Sequence, residues 1–339
     1  MRRNAKGHAH AVKMTTGSLW KNILFFSLPL MLSQLLEVLF NLSDVAVAGK
    51  FADYKALGAV GSTTLLVSLF TGFLIGMGSG VNVCVAHRLG AGSEKGAAVT
   101  IHSSFVICTV TGLVLGAAGI TFAQPLLSIL HTKDELIGGA VLYLKIYSLG
   151  MPAMAIYNFG NGVLSACGET KRPLLYLTVA GVLNVILNLF FVIVCRMAAD
   201  GVAIASVISQ YLSAVLIVRH LLCRRDACRL HLSRGYLDRR ACENVLSLGI
   251  PSGLQNAIFA IANLFVQTGV NSFDAVLVSG NSAAANADTI IFNVMAAFHT
   301  GCASFISQNL GAGNRDRVLK SYFVGLTYSC LLYTSDAAD

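Results

Sequence analysis

The chain has 339 residues, 55% of them hydrophobic and 12% charged. Soluble domains carry about 25% charge, so a water-soluble globule does not fit, and the apolar content excludes disorder. The net charge of +8 and the pI near 9.1 would suit a nucleic-acid binder, but the placement of the charges gives them another cause.

Crossing a bilayer takes about 20 apolar residues. Runs of that kind cover 23–48, 56–86, 97–120, 136–166, 174–197, 202–222, 245–270 and 275–307, and a ninth begins near Val318. Polar or Gly/Pro-containing stretches at 50–55, 90–96, 131–135, 168–173 and 199–201 separate them. The first run is too long for the apolar region of a signal peptide, and no small-residue cleavage site follows it. The nine cysteines are scattered and several lie inside apolar runs, so no disulfide scaffold is expected.

With the N-terminus in the cytoplasm, nineteen Lys and Arg fall on the inside and four (Lys50, Lys55, Lys133, Arg196) on the outside, while Lys145 lies within a span. That asymmetry predicts a multi-pass protein with a cytoplasmic N-terminus. Basic loops beside spans also account for the pI without nucleic acid.

Two landmarks recur. Ser27-Leu28-Pro29 opens the first span and Ser247-Leu248-Gly249-Ile250-Pro251 the seventh. Leu89-Gly90-Ala91-Gly92 ends the second span and Leu310-Gly311-Ala312-Gly313 the eighth. Offsets of 222 and 221 residues, six spans apart, describe a parallel repeat about an axis along the membrane normal. The expected organisation is a cytoplasmic N-terminal segment (1–19), a first six-helix lobe (20–222), a basic cytoplasmic linker (223–244), an incomplete second lobe (245–333) and a tail (334–339) that reads as non-native. The second copy stops early, so the sequence reads as a C-terminally truncated chain.

Gln34, Glu37, Asn41 and Asp44 are spaced three, four and three apart, which places them on one face of the first helix. Intramembrane acids face a bundle interior or water and mark ion pathways. Glu37 and Asp44 are therefore candidates for a proton or sodium site; the plainer alternative is bonding to neighbouring helices, or water contact at the outer end for Asp44. Asn184 and Asn188 share a face of the fifth span, as do Asn158 and Asn161 at the end of the fourth. Asn256, Asn263 and Gln267 form a stripe in the seventh, and Asp288 and Asn293 lie in the eighth. Such amides line a cavity, hold a cation or bridge helices. Lys145 either pairs with a cavity acid or snorkels to the nearer surface, and snorkelling is the expectation.

Gly76-Met77-Gly78-Ser79-Gly80 has the look of a phosphate loop but sits inside a span with no strand before it, so close helix packing explains it better. His220, Cys223, Cys228 and His231 follow no common zinc spacing and read as solvated side chains, so no metal is expected. There is no HExxH, GxSxG or Walker A motif, so neither an enzyme nor an ATP-driven pump is expected. No cofactor is expected beyond a coupling ion, H+ or Na+.

The chain resembles the multidrug and toxic compound extrusion (MATE) transporters, especially bacterial ones. The resemblance is carried by Pro29 to Gln34, Phe40 to Asp44, Leu57 to Ser62, Leu89 to Gly92, Ala166 to Pro173, Leu183 to Phe191 and Gly201 to Ala205. It implies an all-α polytopic membrane protein, a two-lobe helical bundle whose first six-helix lobe is complete and whose second is partial, with about eight full spans and part of a ninth. It also implies a monomer in the bacterial inner membrane. Cationic or amphipathic drugs would be exported by H+ or Na+ antiport, with alternating access of a cavity between the lobes. Asp44 matches the family's first-span aspartate, implicated in cation coupling. Asn188 stands where the family often has aspartate, and no acid occupies the seventh span, so the coupling ion stays open and Glu37 is a candidate replacement. Asn184 joins this coupling group, while Gln34, Asn41, Asn158, Asn161, Asn256, Asn263 and Asp288 are expected to line the substrate cavity. A lipid-linked oligosaccharide flippase of the same superfamily, or a non-transporting fragment, is the alternative. Flippase cavities tend to be basic, and the candidates here are acidic or amide-bearing.

Overall fold

The computed structural model describes residues 12–52, 54–130, 132–270 and 275–336. Ten α-helices follow in order: α1 Leu19–Phe51, α2 Tyr54–Gly90, α3 Glu94–Ile129, α4 Asp134–Ser148, α5 Met151–Ala166, α6 Lys171–Leu189, α7 Ala199–Cys223, α8 Arg239–Val270, α9 Ala275–Gly311 and α10 Arg315–Asp336. Among the described residues there is no strand. Among the described residues, seven helices are long and apolar enough to span a membrane, and the spans number up to eight if the bent pair α4/α5 counts as one. In hydrocarbon each backbone polar group has to bond within its own segment, which leaves the helix as the solution for apolar runs of this length.

Each expected run becomes a helix, with two refinements. The fourth run is broken by 45° between Ser148 and Met151, where Pro152 at the start of α5 supplies no backbone N–H to the preceding turn. The fifth ends in a π-turn, Phe190–Val194. α10 continues to Asp336, past the expected end at Tyr333.

The repeat is visible in local chemistry. Gly92 (φ +67°) and Gly313 (φ +72°), at the same offset as the sequence landmarks, take the left-handed conformation that stops α2 and α9. The next residues cap the helices that follow: Ser93 Oγ accepts from the Gly96 N–H (3.2 Å), and Asn314 Oδ1 from the Arg317 N–H (3.3 Å).

The N-terminus of α1, the α2–α3, α5–α6, α7–α8 and α9–α10 turns, and most of the arginines share one end of the bundle, here called the basic face. There the N-terminal segment is tied down. The Val12 N–H donates to the Gly168 carbonyl (2.9 Å), and Arg317 donates to the carbonyls of Met14 (3.2 Å) and Gly17 (3.0 Å). One apolar core, including Phe70, Leu144, Tyr147 and Val202, fills the first lobe toward the far face. A second, with Met77, Phe159, Ile217 and Val245, fills it toward the basic face. A third joins α1 to α9 and α10 through Ile23, Phe26, Phe298 and Phe305. Phe25, Val114, Ile129, Val194 and Phe323 stay exposed, as lipid-facing side chains do.

The two lobes meet along α2, with α8 and α9 against it. Gly76 packs on Gly253, and a Cβ on Gly80 would lie 2.6 Å from the Gly249 nitrogen. A Cβ on Gly90 would overlap the Gln308 carbonyl oxygen, and one on Gly311 the His87 carbonyl oxygen. This last pair of contacts is reciprocal under the 221-residue offset, as a two-fold axis requires. Asn82 and Ser304 are 222 residues apart and bond each other twice, Asn82 Nδ2 to Ser304 Oγ at 2.9 Å and Ser304 Oγ to Asn82 Oδ1 at 3.0 Å. This separation is one residue from the 221-residue offset of α2 and α9, so the pair lies beside the pseudo-two-fold axis. The glycine run 76–80 is therefore a packing surface, as its place inside a span suggested.

Candidate functional site

α1 carries the polar stripe read from the sequence, but its residues enter different surroundings. Asp44 turns into the first lobe and is buried against α6 and α7. Its Oδ1 accepts from Asn188 Nδ2 at 2.5 Å and its Oδ2 from Ser206 Oγ at 3.1 Å. Asn188 Nδ2 also approaches Asn184 Oδ1 (3.2 Å), and Asn184 Nδ2 donates to Ser206 Oγ (3.3 Å). The expected coupling residues Asp44, Asn184 and Asn188 therefore form one network. Asn188 Oδ1 is buried with no hydrogen-bond partner among the described residues. A bare amide oxygen beside a carboxylate is an arrangement that accepts a proton donor or a small cation. No Lys, Arg or His takes part in these bonds, so the carboxylate is held by neutral donors alone.

Ser206 went unremarked in the sequence. It shares α7 with the buried serines Ser209 and Ser213, and hydroxyls in a small-residue helix read as packing. Only the fold singles out the one that meets Asp44.

Glu37 is not part of that network. About two helical turns toward the basic face, it lines a cavity of about 60 Å³ between α1, α2, α5 and α9, together with Gln34, Asn158 and Asn161 from the first lobe and Thr300 from the second. The seam pair Asn82 also borders it.

The remaining candidates are placed as follows. Asn41 and Asn263 are exposed. Asn256 Nδ2 donates to the Gly72 carbonyl (3.0 Å), so it bridges α8 to α2. Asp288 and Gln267 have side chains outside the described residues. Lys145 is exposed on α4 and does not line the cavity.

A charged cluster on the basic face escaped the sequence reading. Glu169, in the α5–α6 turn, pairs with Arg172 (3.0 Å), with Arg224 and with His220 (3.8 Å), and Arg224 also pairs with Asp226 (2.6 Å). The His220 and Arg224 hydrogen bonds, working against partial burial, hold the Glu169 carboxyl down at about 2. Of the four residues 220, 223, 228 and 231, Cys223 is an exposed free thiol and the other three go to separate partners. His231 stacks on Tyr236 with ring centres 4.7 Å apart. Cys228 forms a disulfide with Cys167 (Cα–Cα 6.6 Å). This corrects the expectation of a solvated thiol at Cys228, while Cys223 stays exposed: the α5–α6 turn and the linker fold onto each other and bring two cysteines 61 residues apart into bonding range.

A bundle of long apolar helices in two lobes, with a buried carboxylate network in one lobe and a polar cavity in the seam, defines a polytopic membrane transporter. The profile of the MatE family matches residues 29–190 and 251–335. The chain belongs to that family, which is one of transporters and not of enzymes. It is 31% identical over 312 residues to "Probable multidrug resistance protein YpnP" of Bacillus subtilis, covering 91% of this chain and 69% of the relative. It is 24% identical over 321 residues to an "FAD transporter" of Shewanella oneidensis, covering 92% of this chain and 70% of the relative. Among solved structures, a MOP superfamily transporter from Pyrococcus furiosus superposes with a TM-score of 0.89 at 21% identity, covering 98% of this chain and 73% of that one.

Proposed function

We propose that this protein exports cationic or amphipathic small molecules across the bacterial inner membrane by antiport against a cation, H+ or Na+. The observation that carries the coupling is the Asp44 network, in which a buried carboxylate is bonded by Asn188 and Ser206 while the Asn188 amide oxygen lacks a partner. A carboxylate in such a place is costly while charged and unpaired. Taking up a proton or a cation relieves that cost, so the energy of the lobe depends on ion occupancy. A ligand shifts a two-state protein only by binding the two states differently, and a charge that is neutralised in one state supplies the difference.

The excess of Lys and Arg on the basic face supports placing that face, and the N-terminus, in the cytoplasm. The glycine contacts and the Asn82–Ser304 pair then close the seam on the inner side. On the far half, Phe259, Phe265 and Val266 of α8 are exposed, which suits a cleft open to the outside. The relative named as a multidrug resistance protein supports drugs as cargo. FAD, the cargo named for the other relative, is anionic, as are pyrophosphate-linked lipids. The carboxylate in the interior of the first lobe is bonded by neutral donors and by no Lys, Arg or His, which favours cationic cargo over either. The reading requires only a bilayer and a small-molecule substrate as partners, with the protein acting as a monomer.

The test is efflux of a fluorescent lipophilic cation from energised cells expressing the protein. Asp44→Asn should lower the initial efflux rate at least tenfold, and collapsing the Na+ or the H+ gradient separately should identify the ion. Efflux at the wild-type rate in Asp44→Asn would overturn the coupling role.

A further inference from the structure

The stripe on α1 divides between two places, and the second has a chemistry of its own. We propose that the cavity at Glu37 is a separate binding site for one small monovalent cation, with Na+ as its ligand, built across the seam between the lobes. This rests on the cation-coupled reading above, and it names an additional ion and a place for it.

The lining is rich in oxygens that can face a cation. Ser33 Oγ donates its proton to the Pro29 carbonyl (3.0 Å) and Thr300 Oγ1 to the Ala296 carbonyl (3.0 Å). Asn158 Nδ2 is taken by the Met154 carbonyl (3.0 Å). With both hydroxyl protons and one Asn158 N–H committed to backbone, the oxygens of all three are available as lone-pair donors to whatever occupies the cavity. Ser165 Oγ, 1% exposed, lines the same cavity and has no hydrogen-bond partner among the described residues. Glu37 provides the single charge, and no basic side chain borders the space to neutralise it.

Size and charge then select the ligand. About 60 Å³ is room for a few water-sized atoms, one water needing about 10–15 Å³ of such space. Drug-sized ligands need pockets of about 300 Å³ or more, so cargo does not fit here while the seam is closed. One carboxylate among neutral oxygens matches one positive charge, whereas Ca2+ sites gather several carboxylates.

The site also senses the arrangement of the lobes. Gln34, Glu37, Asn158 and Asn161 come from the first lobe, and Thr300 from α9 of the second. Asn82 and Ser304 clasp the seam beside it. Parting the lobes removes the α9 side of the cavity, so a bound cation favours the closed seam. The second lobe has no equivalent charge: at the 222-residue offset Glu37 is answered by Phe259, which stacks on Phe292 (5.2 Å).

The test uses the purified protein in lipid nanodiscs at constant ionic strength, with NaCl replacing choline chloride. Thermal unfolding is followed together with emission of Trp20, the sole tryptophan, whose ring meets Tyr328 of α10 at 5.3 Å across the seam. Wild type should gain about 3 °C or more between 1 and 100 mM NaCl, the size expected when a ligand binds only the folded state. In an Asp44→Asn background, which removes any Na+ response of the first-lobe network, a Na+ gain should remain, and adding Glu37→Gln should abolish it. Thr300→Val, which removes a second-lobe oxygen with little change of shape, should raise the half-saturating NaCl about fivefold, and it decides the matter if Glu37→Gln does not fold. A wild type that responds no differently to NaCl and choline chloride overturns the proposal, as does a Na+ response in the Asp44→Asn background that survives Glu37→Gln or is unmoved by Thr300→Val. A stabilisation seen only on lowering pH and lost in Glu37→Gln also overturns it, in favour of a proton site. Loss of the Na+ response in Asp44→Asn alone would sink this site and leave the coupling role of Asp44 standing. Normal efflux in Asp44→Asn with a Glu37-dependent Na+ response would do the reverse.

Discussion

Asp44 has two oxygens, and each accepts from a different helix: Asn188 on α6 and Ser206 on α7. A hydrogen bond to a charged group contributes about 1.5–3 kcal/mol, so Ser206→Ala should shift the ion affinity of the network roughly tenfold. Half-saturation of efflux against the coupling ion, measured in proteoliposomes, checks this. Asn188→Asp restores the acid that the family often carries, and two carboxylates this close cannot both stay charged without a cation or proton between them. That variant should change the apparent stoichiometry or the steepness of the pH profile of efflux, with the cargo range unchanged. The acids and amides of this network were legible as a three-four-three stripe on α1 and a pair on the fifth span. Ser206 was not, because a hydroxyl in a helix rich in small residues carries no pattern of its own until a neighbour claims it. Asn256 taught the opposite lesson: it shares the polar spacing of Gln34, yet its amide is taken by the Gly72 backbone.

The helices themselves follow from composition, and their contacts follow from glycine. Without a hydrophobic drive between apolar helices in lipid, close backbone approach decides which faces meet, and α2 presents Gly76, Gly80 and Gly90 to the second lobe. Gly90→Val would place methyl groups where the Gln308 carbonyl sits. It should destabilise the closed seam by about 1–3 kcal/mol, the usual cost of overpacking, lowering the unfolding midpoint and efflux together. The turns on the basic face are held by charge. Glu169 is depressed from the usual carboxylate range near 4.5 to about 2, so its contribution is whole above pH 4.5 and is lost as pH falls toward 2. Glu169→Gln should flatten the acid limb of a stability–pH profile between those values and lower stability at neutral pH. Beside it, Cys167 and Cys228 form a bridge on the face placed in the cytoplasm, where thiols are kept reduced. Oxidant treatment of membranes should therefore protect both from maleimide, and dithiothreitol should expose them again.

At the scale of the molecule, two copies of one helical plan face each other across an axis that passes beside the Asn82–Ser304 pair. The copies agree in their turns, in Pro29 and Pro251, and in the amides at 34/256 and 41/263, but Glu37 and Asp44 are answered by Phe259 and Val266. The described acids of the bundle interior thus lie in the first lobe, and the second supplies oxygens and apolar surface. If the seam must open for turnover, Asn82→Cys with Ser304→Cys should cross-link under oxidant, stop efflux, and recover with reductant, while each single variant transports. The sequence by itself determined the class, the span positions, the basic face and the repeat, because a bilayer imposes run length, a charge asymmetry imposes orientation, and duplication leaves a constant offset. Only the tertiary structure decided that one polar stripe serves two sites. A helix presents a continuous face over seven residues, but its neighbours change along its length, so Asp44 meets α6 and α7 while Glu37 meets α5 and α9. Which oxygens join a carboxylate is a property of that packing, and spacing along one chain does not contain it.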